Sequence, residues 1–381
     1  MRRLLRQLPV TVLILVFAGA ACSDEKDPES PPSPSPGETF TAADGTRFSV
    51  QVVLTGLEIP WSLAFAPDGR LFLTERPGRV RIVQNGALLP TPALVLSDIA
   101  ATGESGAMGL ALHPQFGTNR FVYLAYTARA GGGMVNRVVR YREAGNTLAE
   151  PAVLLDNLPA ASIHDGGRLR FGPDGKLYLT MGDAAEPSTA QDVASMSGKI
   201  FRMNDDGSVP GDNPLSSFLW SYGHRNPQGI DWHPVTGEMW ATEHGNSGND
   251  ELNRIQAGRN YGWPVIEANR TQAGMETPVL FYDPAIAPSG MSFYTGSAID
   301  AFRNNIFFAT LRGQHLHRVR LDPSNPQRVL GEERLLENRF GRIRDVVSAP
   351  DGSIYFCTNN RDGRGTAIAD DDRVVRIVAA R

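Results

Sequence analysis

Gly172-Pro173-Asp174-Gly175-Lys176-Leu177-Tyr178-Leu179-Thr180 reads as a tight turn running into a β-strand. Proline presets φ for such a turn, and glycine tolerates the positive φ that side chains resist. The same phrase recurs as Ala66-Pro67-Asp68-Gly69-Arg70-Leu71-Phe72-Leu73-Thr74 and as Ala349-Pro350-Asp351-Gly352-Ser353-Ile354-Tyr355-Phe356-Cys357-Thr358. Looser copies begin at His113-Pro114 and His233-Pro234. The turn prolines are spaced roughly 50–60 residues apart, except for a last gap about twice as long. A copy without proline fills that gap: Met291-Ser292-Phe293-Tyr294, then Asn304 to Thr310. Six units of several short strands each predict an all-β, six-bladed β-propeller. A β-sandwich with coincidental turns is the competing architecture. Phe48 to Leu54 and Val374 to Val378 are strand-like runs near the two ends, placed to pair and close the ring.

The chain of 381 residues suffices for one large propeller, and 39 Gly with 27 Pro suit a loop-rich β protein. A net charge of −4 points away from nucleic acid. Two cysteines exclude a disulfide framework. At the start, Arg2, Arg3 and Arg6 precede an apolar run from Val10, which ends in Ala18-Gly19-Ala20-Ala21 before Cys22. The run is short for a membrane span and reads as an export signal over residues 1–21. Small residues directly before a cysteine resemble the acylation site of bacterial lipoproteins. Residues 22–42 then read as the lipidated Cys22 and a disordered Pro/Ser-rich linker, and 43–381 as the propeller. Ser23 resembles an outer-membrane sorting signal. The expectation is an exported protein at the periplasmic face, lipid-anchored to the outer membrane. Cys357 is left as buried packing on a strand.

Outward from the opening stretch, His164 stands just before one strand and Asp183 just after the next, nineteen residues later. The ends of such a hairpin approach each other, so Asp183 is placed to orient the imidazole for general-base work. A surface or structural histidine is the bland alternative. Tyr222-Gly223-His224-Arg225-Asn226-Pro227-Gln228-Gly229 packs an arginine and amides into one loop, which suits an anionic, oxygen-rich ligand or simply caps a blade. Glu243 to Asn253, with Asn260-Tyr261-Gly262-Trp263-Pro264 after it, offers the hard oxygen ligands of Ca²⁺, without EF-hand spacing, or forms a solvated loop. Arg342 and Arg344 share a face if extended, and they repel unless an anion, Asp345 or Glu337 lies between them. Arg312 is a further basic spot. These residues come from several units. The loops on one face of a propeller converge on its axis, so they can form one site.

PWSLAFAPDGRLFLTER from Pro60, HDGGRLRFGPDGKLYLTMGD from His164, YGHRNPQGI, EHG…DELN…NYGWP, APSGMSFYTG, LRGQH and RIRD occur in order. Together they resemble the soluble glucose/sorbosone dehydrogenases, the aldose sugar dehydrogenases that depend on pyrroloquinoline quinone (PQQ), from about Leu57 to the C-terminus. The resemblance implies a six-bladed propeller that oxidises aldoses at C1 to lactones, with PQQ and Ca²⁺ as cofactors and a quinone or other redox acceptor as partner. It implies that His164 is the base, that Asp183 supports it, and that Arg225 polarises the acceptor. Arg225, Asn226, Arg312, Arg342 and Arg344 would bind the cofactor, and Glu104 would line the sugar pocket. Gly245 and Asn246 would hold calcium through backbone carbonyls. Glu251 and Tyr261 match a second calcium site, with Glu267 the nearest further carboxylate. Phe281-Tyr282-Asp283-Pro284-Ala285-Ile286 has no Trp where wide-specificity members carry an aromatic platform. The alternatives are a Ca²⁺-dependent, lactonase-like propeller hydrolase and a non-catalytic carbohydrate-binding propeller. Neither needs His164, Asp183 and Arg225 together with the Arg342/Arg344 pair.

Overall fold

A computed structural model of the chain describes residues 38–380; the export signal, Cys22 and most of the expected linker lie outside the described residues. The chain forms six antiparallel sheets arranged as the blades of a β-propeller. Blades 1 to 5 begin with Pro60–Phe65, Ala107–Leu112, Leu169–Phe171, Pro227–Trp232 and Pro288–Phe293, and blade 6 with Ile343–Ser348. These first strands contact their counterparts in neighbouring blades and line the axis.

The repeated turn does the same work in three copies. Ala66, Gly172 and Ala349 each donate an N–H to the carbonyl four residues on, and Gly69, Gly175 and Gly352 hold φ of 85°, 72° and 81°. The turn aspartates Asp68, Asp174 and Asp351 accept the N–H two residues on, at 3.2, 3.1 and 2.9 Å. An aspartate that bonds its own backbone in this way makes the turn local and repeatable. The proline-free copy is blade 5, whose first two strands, Pro288–Phe293 and Ile306–Thr310, are joined by a longer segment with a 3-10 turn.

Apolar residues are buried between adjacent blades. Phe72, Val80, Phe116 and Tyr126 pack blade 1 on blade 2, and Phe307, Phe340, Phe356 and Ile377 pack blade 5 on blade 6. The ring closes as the sequence predicts. Arg47–Leu54 pairs with Val374–Ala379, with Phe48 opposite Ala379 and Val50 opposite Ile377. The folded part also reaches into the segment expected as linker. Thr39–Thr41 adds a fifth strand to blade 6, because Phe40 stacks on Phe48 at 5.7 Å and Glu38 pairs with Arg339 at 2.9 Å.

Strand alternation puts the turns between first and second strands on one face. Two families of loops share the other face: those between blades, and those between the second and third strands within a blade. Asp183, Gly245, Asn246 and Arg312 belong to the second family, and His164, Arg225 and Arg342 to the first.

Candidate active site

His164 enters from the loop between blades 2 and 3, and Asp183 from the loop after Leu177–Met181. Their side chains meet with Nδ1 2.8 Å from Oδ1. Asp183 is fully buried, and its two oxygens also accept the Ala185 N–H and the Trp263 Nε1–H, both at 2.9 Å. A carboxylate so surrounded by donors is acceptor-only, which places the ring proton on Nδ1 and leaves a lone pair on Nε2. The backbone of His164 holds φ 61°, in the left-handed region. Strain of this kind collects at functional sites. Gly182 lies so close to the His164 carbonyl that any Cβ there would strike it.

Arg225 and Asn226 sit on the loop between blades 3 and 4. His224 anchors that loop from below: it is fully buried, bonds Ser221 Oγ and Glu243 Oε2 at 2.8 Å each, and stacks on Tyr261 at 4.9 Å. Glu243 also accepts the Arg225 N–H. The Arg225 guanidinium lies over the Trp263 ring at 5.3 Å, and its Nε is buried without a partner. Asn226 ties the loops together, accepting the Gly166 N–H at 3.1 Å and Gln228 Nε2 at 2.9 Å.

Arg342 precedes the first strand of blade 6 and pairs with Asp362 at 3.0 Å, not with Asp345 or Glu337. Asp345 is taken by Arg168, at 3.1 Å. Arg344 is buried at the axis, donates to Gln228 Oε1 at 3.1 Å, and lies over Trp61 at 5.6 Å. Burial pushes its guanidinium down from the ordinary value, and its Nε has no partner. Arg168 lies over the same indole at 4.2 Å and donates to Ser62 and Gln228, so a polar plug floors the site.

Glu104 completes the wall. It accepts the His164 N–H at 3.1 Å and pairs with Arg364 at 2.8 Å. Burial opposes its charge, but His244 and Arg364 overcome that and hold the carboxyl down at about 2. Arg312 stands exposed on the rim and makes no ion pair among the described residues.

Around Gly245 the chain is compressed: a Cβ there would meet the carbonyls of Gly248 and Asn249. Gly245 N–H bonds Asp250 at 2.9 Å, and Asn246 N–H bonds Glu267 at 3.1 Å. In the trans peptide between them the Gly245 carbonyl therefore points away from Glu267. Glu251 and Glu267 line a small cavity with Glu243 and Tyr261. Burial, then Glu243, pushes the Glu251 carboxyl up to about 8. The Tyr261 hydroxyl is committed elsewhere, to Arg254 O at 2.6 Å and Gln256 N at 2.8 Å, which leaves only its carbonyl as a ligand. Among the described residues no three His, Cys, Asp or Glu side chains are grouped to hold a metal.

The sequence reading missed several neighbours. Arg76 and Arg364 bring further positive charge to Glu104, Asp362 and Arg342. Arg76 closes the PWSLAFAPDGRLFLTER phrase, and Arg364 lies in the Gly-flanked loop after the second strand of blade 6, the counterpart of the loop that carries Asp183. His244, whose Nε2 is buried without a partner, sits inside the Glu243 to Asn253 stretch. Phe281 and Tyr282 lie on the outermost strand of blade 4, away from the axis.

The profile of the family "Glucose / Sorbosone dehydrogenase" matches residues 57–369. Aldose sugar dehydrogenase YliI of Escherichia coli K12 is 33% identical over 83% of this chain and 91% of its own. Quinoprotein glucose dehydrogenase B of Acinetobacter calcoaceticus is 27% identical over 88% and 90%. Among solved structures, the PQQ-bound aldose sugar dehydrogenase of Streptomyces coelicolor superposes with a TM-score of 0.78 at 34% identity, over 87% of this chain and 98% of that one.

Proposed function

The chain belongs to the glucose/sorbosone dehydrogenase family, and from that premise we propose that it oxidises aldoses at C1 to lactones with PQQ and Ca²⁺, using His164 as the base. It is an oxidoreductase of the PQQ-dependent aldose sugar dehydrogenase type. The observation that carries the mechanism is the His164–Asp183 contact of 2.8 Å, on the face where Arg225, Arg342 and Arg344 converge.

The residues fit an anionic, oxygen-rich cofactor. Arg225 Nε, Arg344 Nε and His244 Nε2 are buried donors or acceptors without partners, and such groups call for a ligand. Arg225 and Asn226 would hold the quinone end, and Arg342 and Arg344 the carboxylates, which relieves their mutual repulsion. Arg312, on the rim, would add positive charge. The backbone carbonyls of Gly245 and Asn246 would hold the cofactor's calcium. Glu251 and the Tyr261 carbonyl would serve a second ion, which fits the two carboxyls, Glu243 and Glu251, that line one small cavity with Tyr261.

When bound, PQQ supplies the electron-poor quinone that accepts hydride from C1 of the sugar. His164 Nε2 takes the proton of the anomeric hydroxyl, so C1 ends as the lactone carbonyl. Asp183 keeps the imidazole in the Nδ1–H tautomer and stabilises the charge it gains. Arg225 stabilises negative charge on the acceptor side, and Glu104 accepts hydrogen bonds from sugar hydroxyls. The electrons then pass to a quinone or other redox acceptor.

Reconstitution with PQQ and Ca²⁺ in the presence of an aldose and a redox dye tests this reading. Dye reduction is expected, and His164→Ala should lower it by at least about 10²-fold while PQQ still binds. Absence of dye reduction with every aldose tried, or undiminished turnover in His164→Ala, would overturn it. The N-terminal sequence supports export and a lipid anchor at Cys22, on the outer membrane's periplasmic face. Cys22→Ser should then release the protein from the membrane fraction.

A further inference from the structure

Resting on the dehydrogenase reading above, we propose that Trp263 is a positioning residue: one indole fixes both the His164–Asp183 base and the Arg225 guanidinium. Its Nε1–H bonds Asp183 Oδ2 at 2.9 Å, on the oxygen opposite the one that holds His164. The terminal torsion of an aspartate is soft. Donors on both oxygens pin it, and Oδ1 stays aimed at Nδ1 of the histidine. The face of the same ring lies 5.3 Å from the Arg225 guanidinium carbon, within cation–π range.

The indole is itself held firmly. The Trp263 N–H donates to Gly223 O at 2.9 Å, one residue before the His224–Arg225 pair. Its carbonyl accepts Gln191 Nε2 at 2.6 Å, and Gln191 and Asn260 bond each other through both amide groups, at 3.1 and 2.8 Å. The ring therefore bridges the Asp183 loop within blade 3 and the Arg225 loop that joins blades 3 and 4. A phenylalanine would offer an aromatic face here but no donor for Asp183. Only an indole supplies a large flat face together with an edge donor at this depth.

Trp263→Phe separates the two roles, because it keeps an aromatic face and removes the donor. In cofactor-free protein with ¹⁵N-labelled histidine, His164 should show the Nδ1–H tautomer in the wild type and a mixture in Trp263→Phe. PQQ affinity, measured by titrating the apoprotein, should stay within about twofold because the ring remains under Arg225. In the loaded enzyme kcat should fall by about 10–100-fold, with KM little changed. An unchanged tautomer signature, or an unchanged kcat, overturns the proposal. If Trp263→Phe does not fold, Asp183→Asn provides the reciprocal measurement. The Trp263 indole N–H resonance should move upfield on losing a charged acceptor, and an unmoved resonance is equally fatal. The tautomer measurement needs no turnover, so loss of the dehydrogenase reading itself registers separately, as wild-type protein that reduces no dye.

Discussion

The histidine at position 164 is held in place mainly by what its neighbours lack. Gly182 has no side chain, and that absence lets the His164 carbonyl pass close by while the backbone keeps its positive φ. Gly182→Ala is expected to leave the circular dichroism spectrum intact and cut kcat by about 10²-fold, because a displaced base loses its aim. Arg342→Ala removes a guanidinium partly neutralised by Asp362. It should weaken PQQ binding by about 10–100-fold, read by titrating the apoprotein, with a smaller effect on the sugar's KM. His164 and Asp183 were legible in the sequence because one hairpin carries both, and hairpin length decides whether they meet. Arg76, Asp362 and Arg364 were not, because their meeting depends on blade 6 closing against blade 1. The ion-pair partner of Arg342 was left open in the sequence for a related reason, and the structure supplies Asp362. Asp345, one of the partners the sequence offered, is instead engaged by Arg168.

At the scale of elements, the repeated turn was readable because its chemistry is local. The loops on the opposite face were not, because they are shaped by contacts between blades. The segment Ala161 to Asp165 shows how. Buried Asp165 accepts Ser105 Oγ at 2.7 Å, Asn136 Nδ2 at 2.9 Å and Ala161 N–H at 3.0 Å, tying the His164 loop to blade 2 and to the residue beside Glu104. Burial nevertheless pushes its carboxyl up from 3.8 to about 6. A carboxyl raised on folding contributes stability that is fully present below pH 3.8 and lost as pH rises through about 6. The unfolding free energy of the wild type minus that of Asp165→Asn should therefore fall by about 3 kcal/mol across that window. Denaturant titrations of both proteins at several pH values measure it, and a flat difference would remove Asp165 as the titrating group.

For the whole molecule, five blades are built from neighbouring sequence and the sixth is not. Its pairing of Arg47–Leu54 with Val374–Ala379 joins opposite ends of the chain. Such long-range pairing carries a loop-closure cost and forms late. Deleting residues 38–54 should cost about 3–6 kcal/mol from Phe48 and Val50 alone, since both are buried. It also bares Val374–Ala379 as an open edge, and a lower melting temperature with concentration-dependent aggregation should follow. A truncated protein that melts like the full chain would show that the ring holds without its clasp.

The same blade has a mechanical meaning. Its five strands run in the order Thr39–Thr41, Arg47–Leu54, Val374–Ala379, Ile354–Thr358, Ile343–Ser348, from rim to axis. Any load applied through the segment before residue 38 enters at the outermost strand. Arg344 lies on the innermost one, so four strand interfaces stand between a pull on that segment and the nearest site residue on that blade. Under such a load the outer seam would peel before the axis felt the force.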